Sequence, residues 1–285
     1  MPSLIDIRRR IRSVKSTQQI TKAMKMVAAA KLRKAQERVI SSRPYAQIFE
    51  QVLKNVSAAA AGDERVASHP LLAKRPENRI QVVLITTDRG FAGGFNANLF
   101  RAGQHFINEN AGKVAVELYG RKGRDYFRRR EVTATGEVTG ISENPKLEHA
   151  EALTKKMIER FSKEEIDSVY LLYNEFKSVL SQRVILKRIM PIALPEGVPA
   201  KDYIYEEPPA EMMRTLLPAY VQLEIYRAMI ESAAAEFAAR MTAMDAATSN
   251  ADEVIEKLTL YMNRVRQASI TKEIIEVVSG AAALD

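Results

Sequence analysis

The sequence of 285 residues contains no cysteine and only three histidines. The missing cysteines exclude disulfide frameworks, thiol catalysis and cysteine-type zinc sites. His69, His105 and His149 lie far apart in the chain and form no ligand pair of helical spacing. No apolar run approaches the roughly 18 residues that cross a bilayer, and the first residues lack the apolar segment of a secretory signal. We therefore expect an intracellular protein that is either soluble or peripheral to a membrane.

The charge of the chain is unevenly distributed. The formal net charge is +8, and 46% of the residues are hydrophobic, which excludes intrinsic disorder. Residues 1–45 hold 12 Lys and Arg against 2 Asp and Glu, whereas residues 211–285 hold 7 against 11. Such asymmetry indicates a basic arm for an anionic partner, or two terminal segments that attract each other.

The N-terminal segment has the pattern of one helix of a coiled coil. Between Leu4 and Ser42, alternate steps of three and four residues meet twelve positions, eight of them apolar. Such a repeat keeps one seam of a helix facing a partner helix. The polar positions within 18–25 interrupt the middle of this seam. Pro44 should kink or end the helix, but the stepping continues beyond it, so we expect helix to resume until Gly62.

The C-terminal segment repeats the pattern. From Leu216 to Val265 the same stepping meets fifteen positions, thirteen of them apolar, and no proline or glycine interrupts residues 219–279. About 60 unbroken residues would form a helix of roughly 90 Å, too long for a core helix of this protein. We expect the two seams to pair as an antiparallel coiled coil. The alternative is that each seam packs in an ordinary helical bundle.

The end of the C-terminal helix is apolar on most sides. From Ile270 to Leu284, Lys272, Glu273 and Glu276 leave only a narrow polar strip. A helix with this pattern is buried by something, and a partner helix that begins near residue 3 cannot cover every side. The pattern favours a socket supplied by another subunit over a tail that folds back.

The middle of the chain alternates between strand and helix patterns. This alternation predicts a small α/β layer domain with a mostly parallel sheet, followed by a proline-rich exit loop over residues 191–209. The expected strands are 80–86, 114–119, 168–173 and 183–188, and the expected helices are one of about 15 residues after a glycine turn, 120–130 and 146–161.

The glycine turn does not match a known nucleotide motif. Gly90, Gly93 and Gly94 have neither the dinucleotide-binding spacing nor the lysine of a phosphate-binding loop. Glycines in such a turn more often serve tight geometry and close packing. Asp88 and Arg89 are accordingly interpreted as turn-stabilising. A nucleotide-binding α/β enzyme stays an alternative that requires saturable nucleotide binding at residues 90–94.

No group of residues supports catalysis, because no serine is matched with a histidine and no carboxylate pair stands out. The basic N-terminal arm leaves open a second alternative, a coiled-coil protein that binds nucleic acid, although the run 8–10 lacks interleaved aromatics. The residues themselves favour a mechanical or assembly protein, with a long coiled coil and a globular head.

Three blocks of the sequence closely resemble the gamma subunits of F-type ATP synthases. They are residues 7–36 (IRRRIRSVKSTQQITKAMKMVAAAKLRKAQ), 84–100 (LITTDRGFAGGFNANLF) and the segment 239–284. The blocks lie in the family's order and reach nearly both ends, and the length is similar to the bacterial form.

The resemblance implies an α/β protein with long helices. An antiparallel two-helix coiled coil is formed by the N-terminal helix (1–62, kinked near Pro44) and the C-terminal helix (210–285), with a Rossmann-like α/β domain (76–209) inserted between them. It also implies the central rotor shaft, which couples proton flow through the membrane c-ring to ATP synthesis or hydrolysis at a hexamer of alpha and beta subunits.

The implied partners are the alpha and beta subunits, the epsilon subunit and the c-ring, with no nucleic acid and no small-molecule substrate. The resemblance further implies no catalytic site, metal or cofactor of the chain's own. The implied location is the cytoplasmic side of the bacterial plasma membrane, as a peripheral protein.

The resemblance assigns partner contacts to individual positions. Contacts with the beta subunit are implied for two segments, at Met24, Lys25, Arg266, Gln267 and Thr271. The c-ring and epsilon contacts are implied for Tyr205 and Glu206. The end of the shaft, which turns in an apolar collar, is implied for Val277, Val278, Ala281, Ala282 and Leu284.

Overall fold

The computed structural model describes residues 3–130, 132–194 and 205–282. The chain divides into two compact units, one formed by Met1–Ala28 with Met241–Asp285 and the other by Ala29–Arg240. These units differ from the segments 1–62, 76–209 and 210–285, which follow sequence patterns and stay a prediction.

Long helices occupy both ends of the described chain, as predicted. Helix α1 spans Leu4–Ala59 (56 residues) and helix α6 spans Pro209–Ala282 (74 residues). Pro44 lies inside α1 and does not end it. Helix α6 begins earlier than its apolar repeat, at Pro209, because proline fits the first turn of a helix, where its missing N–H costs nothing.

A five-stranded sheet in the order β3-β2-β1-β4-β5 forms the centre of the larger unit. The strands β1 to β4 run parallel to one another, and β5 is antiparallel to β4. The strands are β1 Ile80–Ile85, β2 Val114–Tyr119, β3 Thr133–Val138, β4 Ser168–Phe176 and β5 Gln182–Met190. The sequence missed β3, and the mostly parallel sheet is confirmed.

Helices cover both faces of this sheet. The connecting helices are α2 Glu64–Ala67, α3 Phe95–Glu109, α4 Arg121–Phe127 and α5 Leu147–Ser162, with a single 3₁₀ turn at Pro70–Leu72. The predicted positions of α3, α4 and α5 agree with the structure to within a few residues, whereas α2 and the 3₁₀ turn were not predicted.

Alternate residues of β1 enter two hydrophobic clusters. Val82 and Leu84 pack with Leu99 of α3 on one face. Val83 and Ile85 belong to the cluster that contains α5 and the parts of α1 and α6 in this unit. Every residue of β1 is buried, as expected for a strand covered on both faces. Burial of each such apolar side chain contributes roughly 1.5–3 kcal/mol to the stability of the fold.

In the smaller unit, α1 and α6 pair along the predicted seams. Ile7 and Ala28 of α1 are 4% and 2% exposed, and Met244 and Ala251 of α6 are 5% and 8% exposed. The paired positions rise along α1 as they fall along α6, so the helices are antiparallel. Over the described residues, none of the helices combines the length and apolarity that a membrane span requires.

Candidate functional site

The polar interruption of the α1 seam is a set of cross-links to α6. Gln18 donates a hydrogen bond to Asp252, and the Thr21 and Thr248 hydroxyl oxygens lie 2.8 Å apart. Lys25 forms an ion pair with Asp245. The seam is therefore apolar on either side of a polar layer. The sequence located this layer on α1 but did not identify the carboxylates opposite it.

Met24 and Lys25 lie at this polar layer. Lys25 is half-exposed and committed to Asp245, while Met24 is half-buried beside it. The adjacent Met26 and Val27 expose 61% and 56% of their surface, although both are apolar. The seam pattern of the sequence does not single out these two residues. The sequence feature that could have indicated them is an apolar residue at a position of a long helix outside its seam.

Arg266, Gln267 and Thr271 are exposed on α6. Within the described chain Arg266 forms no ion pair, and the Thr271 hydroxyl donates to the backbone carbonyl of Gln267 at 3.0 Å. The guanidinium group and the amide are thus free to contact another protein. Leu260 lies on the same helix and is 63% exposed, and the seam pattern of the sequence does not single it out either.

The last described turns of α6 expose a wide apolar face. The exposed fractions range from 48% to 72% for Ile270, Ile274, Ile275, Val277 and Val278. At 3.6 residues per turn these five side chains span an arc of about 160°. The backbone of α6 continues through Ala281 and Ala282, whereas Leu284 lies outside the described residues.

Tyr205 and Glu206 belong to the larger unit, just before α6. The Tyr205 hydroxyl donates to the backbone carbonyl of Asn55 over 3.5 Å, and its ring packs on the hydrophobic cluster of this unit. Glu206 is exposed. Tyr205 also lines a cavity of about 380 Å³ together with Ile48, which is 63% exposed. A half-buried aromatic ring therefore borders an exposed apolar surface.

Asp88, at the start of the glycine turn, forms hydrogen bonds to other segments of the chain. The Asp88 carboxylate accepts from the backbone N–H groups of Arg121 (3.0 Å), Gly140 (2.9 Å) and Ser142 (3.0 Å). Although burial opposes it, these three bonds hold the pKa of Asp88 below its ordinary value. The carboxylate therefore fastens two other loops to the turn, in agreement with its interpretation as turn-stabilising.

Arg240 forms a buried ion pair within α6 and also joins this helix to the same turn. Arg240 donates to Glu236 at 2.5 Å and to the carbonyl oxygen of Gly90 at 3.4 Å, and Glu143 lies 3.8 Å from the guanidinium group. Burial raises the pKa of Glu236 to about 7, against the attraction of Arg240. Among the described residues, no group of three or more His, Asp or Glu is placed to hold a metal ion.

Comparisons with known proteins give matches over nearly the whole chain. The model of the ATP synthase family matches residues 3–284. The ATP synthase gamma chain of Solibacter usitatus is 63% identical over 286 residues, which cover 100% of both chains. The gamma chains of Anaeromyxobacter sp. (strain Fw109-5) and Desulfitobacterium hafniense are 52% and 48% identical, again over 100% of both chains.

Solved structures show the same fold. The chain resembles one from the rotor of the Euglena gracilis mitochondrial ATP synthase, with a TM-score of 0.68 at 20% identity over 94% of this chain and 98% of that one. A chain from the central stalk and c-ring of the Tetrahymena thermophila enzyme gives a TM-score of 0.58 at 22% identity over 80% and 99%. With the full-length similarity to curated gamma chains, these findings show that the chain belongs to the family of ATP synthase gamma chains.

Proposed function

We propose that the chain is the central rotor shaft of a proton-translocating ATP synthase. It couples proton flow through the c-ring to ATP synthesis or hydrolysis at the alpha/beta hexamer. Its own part is mechanical, with no catalytic site and no cofactor, and it is peripheral to the cytoplasmic side of the bacterial plasma membrane. Membership in the gamma-chain family supports this role and does not favour the nucleic-acid alternative.

The observation that carries the proposal is the exposed apolar end of α6. Exposure of five large apolar side chains on one arc to water is unfavourable. We therefore expect a protein surface to cover them. A smooth apolar collar would do so without specific polar contacts, and would let the helix turn inside it. We assign Val277, Val278, Ala281, Ala282 and Leu284 to this bearing.

The coupling contacts are proposed at two separate places on the smaller unit, because Lys25 pairs with Asp245 of α6, roughly 30 Å along that helix from Arg266. Arg266, Gln267 and Thr271 offer a guanidinium group, an amide and a hydroxyl on an exposed stretch of α6. Met24 and Lys25 lie at the polar layer of α1, next to exposed Met26 and Val27. Beta-subunit loops that carry carboxylates would complement these two basic and apolar surfaces.

The membrane-side contacts are proposed at Tyr205 and Glu206, toward polar loops of the c-ring and toward epsilon. Glu206 is exposed, and the apolar surface beside Tyr205 gives a partner subunit area to bury. The similar Tetrahymena chain comes from a central stalk and c-ring assembly, which supports a c-ring as a partner.

Reconstitution tests the proposal as a whole. The full-length chain, mixed with purified alpha and beta subunits, should form a complex with sustained ATPase turnover, because rotation of the shaft releases each nucleotide site in turn. Alpha and beta subunits without the chain serve as the control. A mixture that neither assembles nor turns over ATP would contradict the proposal, and so would saturable binding of duplex DNA with a steep salt dependence.

A single substitution tests the coupling contact. Arg266→Ala should lower ATP-driven proton pumping in membranes about tenfold, since a charge-assisted hydrogen bond contributes roughly 1.5–3 kcal/mol. Arg264→Ala is the matched control, because Arg264 is also exposed on α6. Equal pumping by the two variants would show that Arg266 has no special contact.

A further inference from the structure

Helix α4 and the three residues after it form a strongly basic surface of the larger unit. Residues 121–130 hold six Lys and Arg against one acidic residue. Gly123 and Phe127 are the buried positions of α4, and charged side chains occupy its exposed side. We call the basic residues of this stretch the basic patch, which consists of Arg121, Lys122, Arg124, Arg128, Arg129 and Arg130.

Most charges of the basic patch are not neutralised by a neighbouring carboxylate. Asp125 pairs with the adjacent Arg124 at 2.9 Å. Among the described residues, no ion pair forms at the other exposed or half-exposed positions Arg121, Lys122, Arg128 and Arg129. By contrast, Arg79, Lys156 and Lys187 of the same unit each pair with a carboxylate side chain that is at most 10% exposed. The basic patch therefore presents free positive charge to its surroundings.

The arrangement of these charges opposes the stability of α4 itself. Arg121 and Lys122 lie in the first turn, which contains no acidic residue and where the helix dipole disfavours positive charge. Arg124 lies three residues from Arg121 and four from Arg128, and like charges at these spacings repel each other. Proteins keep such local conflicts mainly at functional sites. An external anion therefore explains the basic patch better than folding does.

The aromatic rings beside the basic patch are not available to stack on nucleic-acid bases. The Tyr126 ring stacks on the Phe100 ring with the two centroids 4.1 Å apart, and the Arg130 guanidinium carbon lies 3.5 Å from the Tyr126 centroid. Both faces of Tyr126 are thus covered, and Phe127 is buried. Proteins that bind single strands use free aromatic rings as stacking platforms, which this surface lacks.

The basic patch also lacks the apolar centre of a protein interface. None of the large exposed apolar side chains of the described chain lies within residues 121–130. Protein interfaces bury an apolar core that is depleted in charge. A cluster of about four to eight Lys and Arg on a helix is instead typical of surfaces that bind the headgroups of anionic lipids, which carry a negative surface potential.

We propose that the basic patch docks the larger unit on an anionic phospholipid surface. Its guanidinium and ammonium groups contact lipid phosphates, and no side chain enters the hydrocarbon layer. This contact goes beyond the shaft function, since its partner is lipid and not another subunit. Only its occurrence in the cell rests on the proposed membrane location, because vesicle binding is a property of the isolated chain.

Sedimentation with vesicles measures this binding with the full-length chain. Vesicles of phosphatidylcholine with about 30% phosphatidylglycerol should bind the chain at low salt, and vesicles of phosphatidylcholine alone should not. The double variant Arg128→Gln with Arg129→Gln should lower the partition coefficient about 25-fold, because each basic residue near an anionic surface contributes about fivefold.

A second double variant is the matched control. Lys74→Gln with Lys155→Gln removes the same charge from two exposed lysines outside the basic patch. Lys155 belongs to α5, which packs on the other face of the sheet from α4. The partition coefficient should fall at most about threefold, because charges farther from the lipid than a Debye length are screened.

The basic N-terminal arm offers a competing surface, and a fluorescent label distinguishes the two. Because the chain has no cysteine, Asp125→Cys gives a single labelling position within the stretch of the basic patch. A fluorophore there should be quenched by lipids that carry a nitroxide on the headgroup, in vesicles with phosphatidylglycerol. Glu151→Cys removes the same charge at an exposed position of α5, and its label should show little quenching.

Both double variants should keep the melting temperature of the parent chain and its ATPase turnover after reconstitution with alpha and beta subunits. Failure of the docking is thereby separate from failure of the shaft function. Binding that does not depend on phosphatidylglycerol would overturn the proposal, and so would equal losses in the two double variants or no quenching at position 125. A larger loss of duplex DNA binding than of vesicle binding in Arg128→Gln with Arg129→Gln would assign the basic patch to nucleic acid and overturn it as well.

Discussion

The carboxylate of Asp88 holds two other segments of the larger unit against the glycine turn. Three backbone N–H groups, in the segments at Arg121 and at 140–142, have this carboxylate as their acceptor. Because an ionised acceptor strengthens each bond, the group contributes more than an ordinary turn residue. Asp88 therefore holds together the segments that follow the carboxyl ends of β1, β2 and β3.

Asp88→Ala should lower the free energy of unfolding by about 2 kcal/mol, because it removes the ionised acceptor that three backbone N–H groups share. Urea-induced unfolding of the full-length chain, followed by circular dichroism, measures this. Asp125→Ala removes an exposed carboxylate paired only with the neighbouring Arg124, and should shift the value by no more than about 0.5 kcal/mol. Similar shifts in the two variants would rule out the proposed role.

Glu236 should make stability depend on pH near neutrality. Burial raises its pKa to about 7 in the folded chain, whereas the ordinary value of 4.5 applies when the chain is unfolded. Between these values the folded state binds more protons, so the contribution of this group to stability falls as the pH rises from about 4.5 to 7. The charged groups around it are Arg240, Glu143 and Asp88.

The corresponding variant is Glu236→Gln. The stability of the parent chain relative to this variant should fall by up to about 3 kcal/mol between pH 4.5 and 7, measured by urea unfolding at several pH values. Glu253→Gln, at an exposed carboxylate paired with Lys257, should track the parent chain. A pH profile of Glu236→Gln that parallels the parent would contradict the prediction.

At the scale of elements, the sequence predicted those whose pattern is local. The long terminal helices have a sustained apolar repeat, and β1 has a continuous run of buried residues. Strand β3, at Thr133–Val138, has neither. Its pairing with β2 shifts register between Val116 and Glu117, and the Glu117 carboxylate lies so close to Gly136 that an added Cβ would be 2.4 Å from it. Residues distant in sequence therefore decide that β3 is a strand.

The candidate site was predictable to a similar extent. The interruption at 18–25 located the polar layer of α1, but Asp245 and Asp252 could not be assigned to it. Their register against α1 depends on where two segments more than 200 residues apart meet.

The seam of α1 offers a test with two alanines of the same helix. Ala28 is 2% exposed and Ala30 is exposed. Ala28→Asp should lower the free energy of unfolding by about 3 kcal/mol or more, because it places an unpaired carboxylate at a buried position. Ala30→Asp changes charge and helix propensity equally and should cost no more than about 1 kcal/mol. Thermal unfolding followed by circular dichroism distinguishes them, and equal costs would mean that position 28 is not in the seam.

At the scale of the whole molecule, buried apolar side chains stabilise the fold, whereas exposed apolar side chains are available for assembly with other subunits. Val277 is 72% exposed, so its side chain contributes little to the stability of the isolated chain. In the proposed complex the same side chain lies inside an apolar collar. A charge at this position should therefore affect assembly and turnover and leave folding unchanged.

Val277→Glu makes that separation measurable. The free energy of unfolding of the isolated chain should change by no more than about 0.5 kcal/mol. Sustained ATPase turnover after reconstitution with alpha and beta subunits should fall about tenfold, because burying a carboxylate without a partner costs several times the thermal energy. The control variant is Glu276→Gln, which should retain turnover. Glu276 lies on the polar strip beside Val277, and Lys272 is 3.4 Å from its carboxylate. Full turnover by Val277→Glu would mean that no apolar collar surrounds this end of α6. Loss of turnover together with a large loss of stability would place the side chain in the fold of the chain itself.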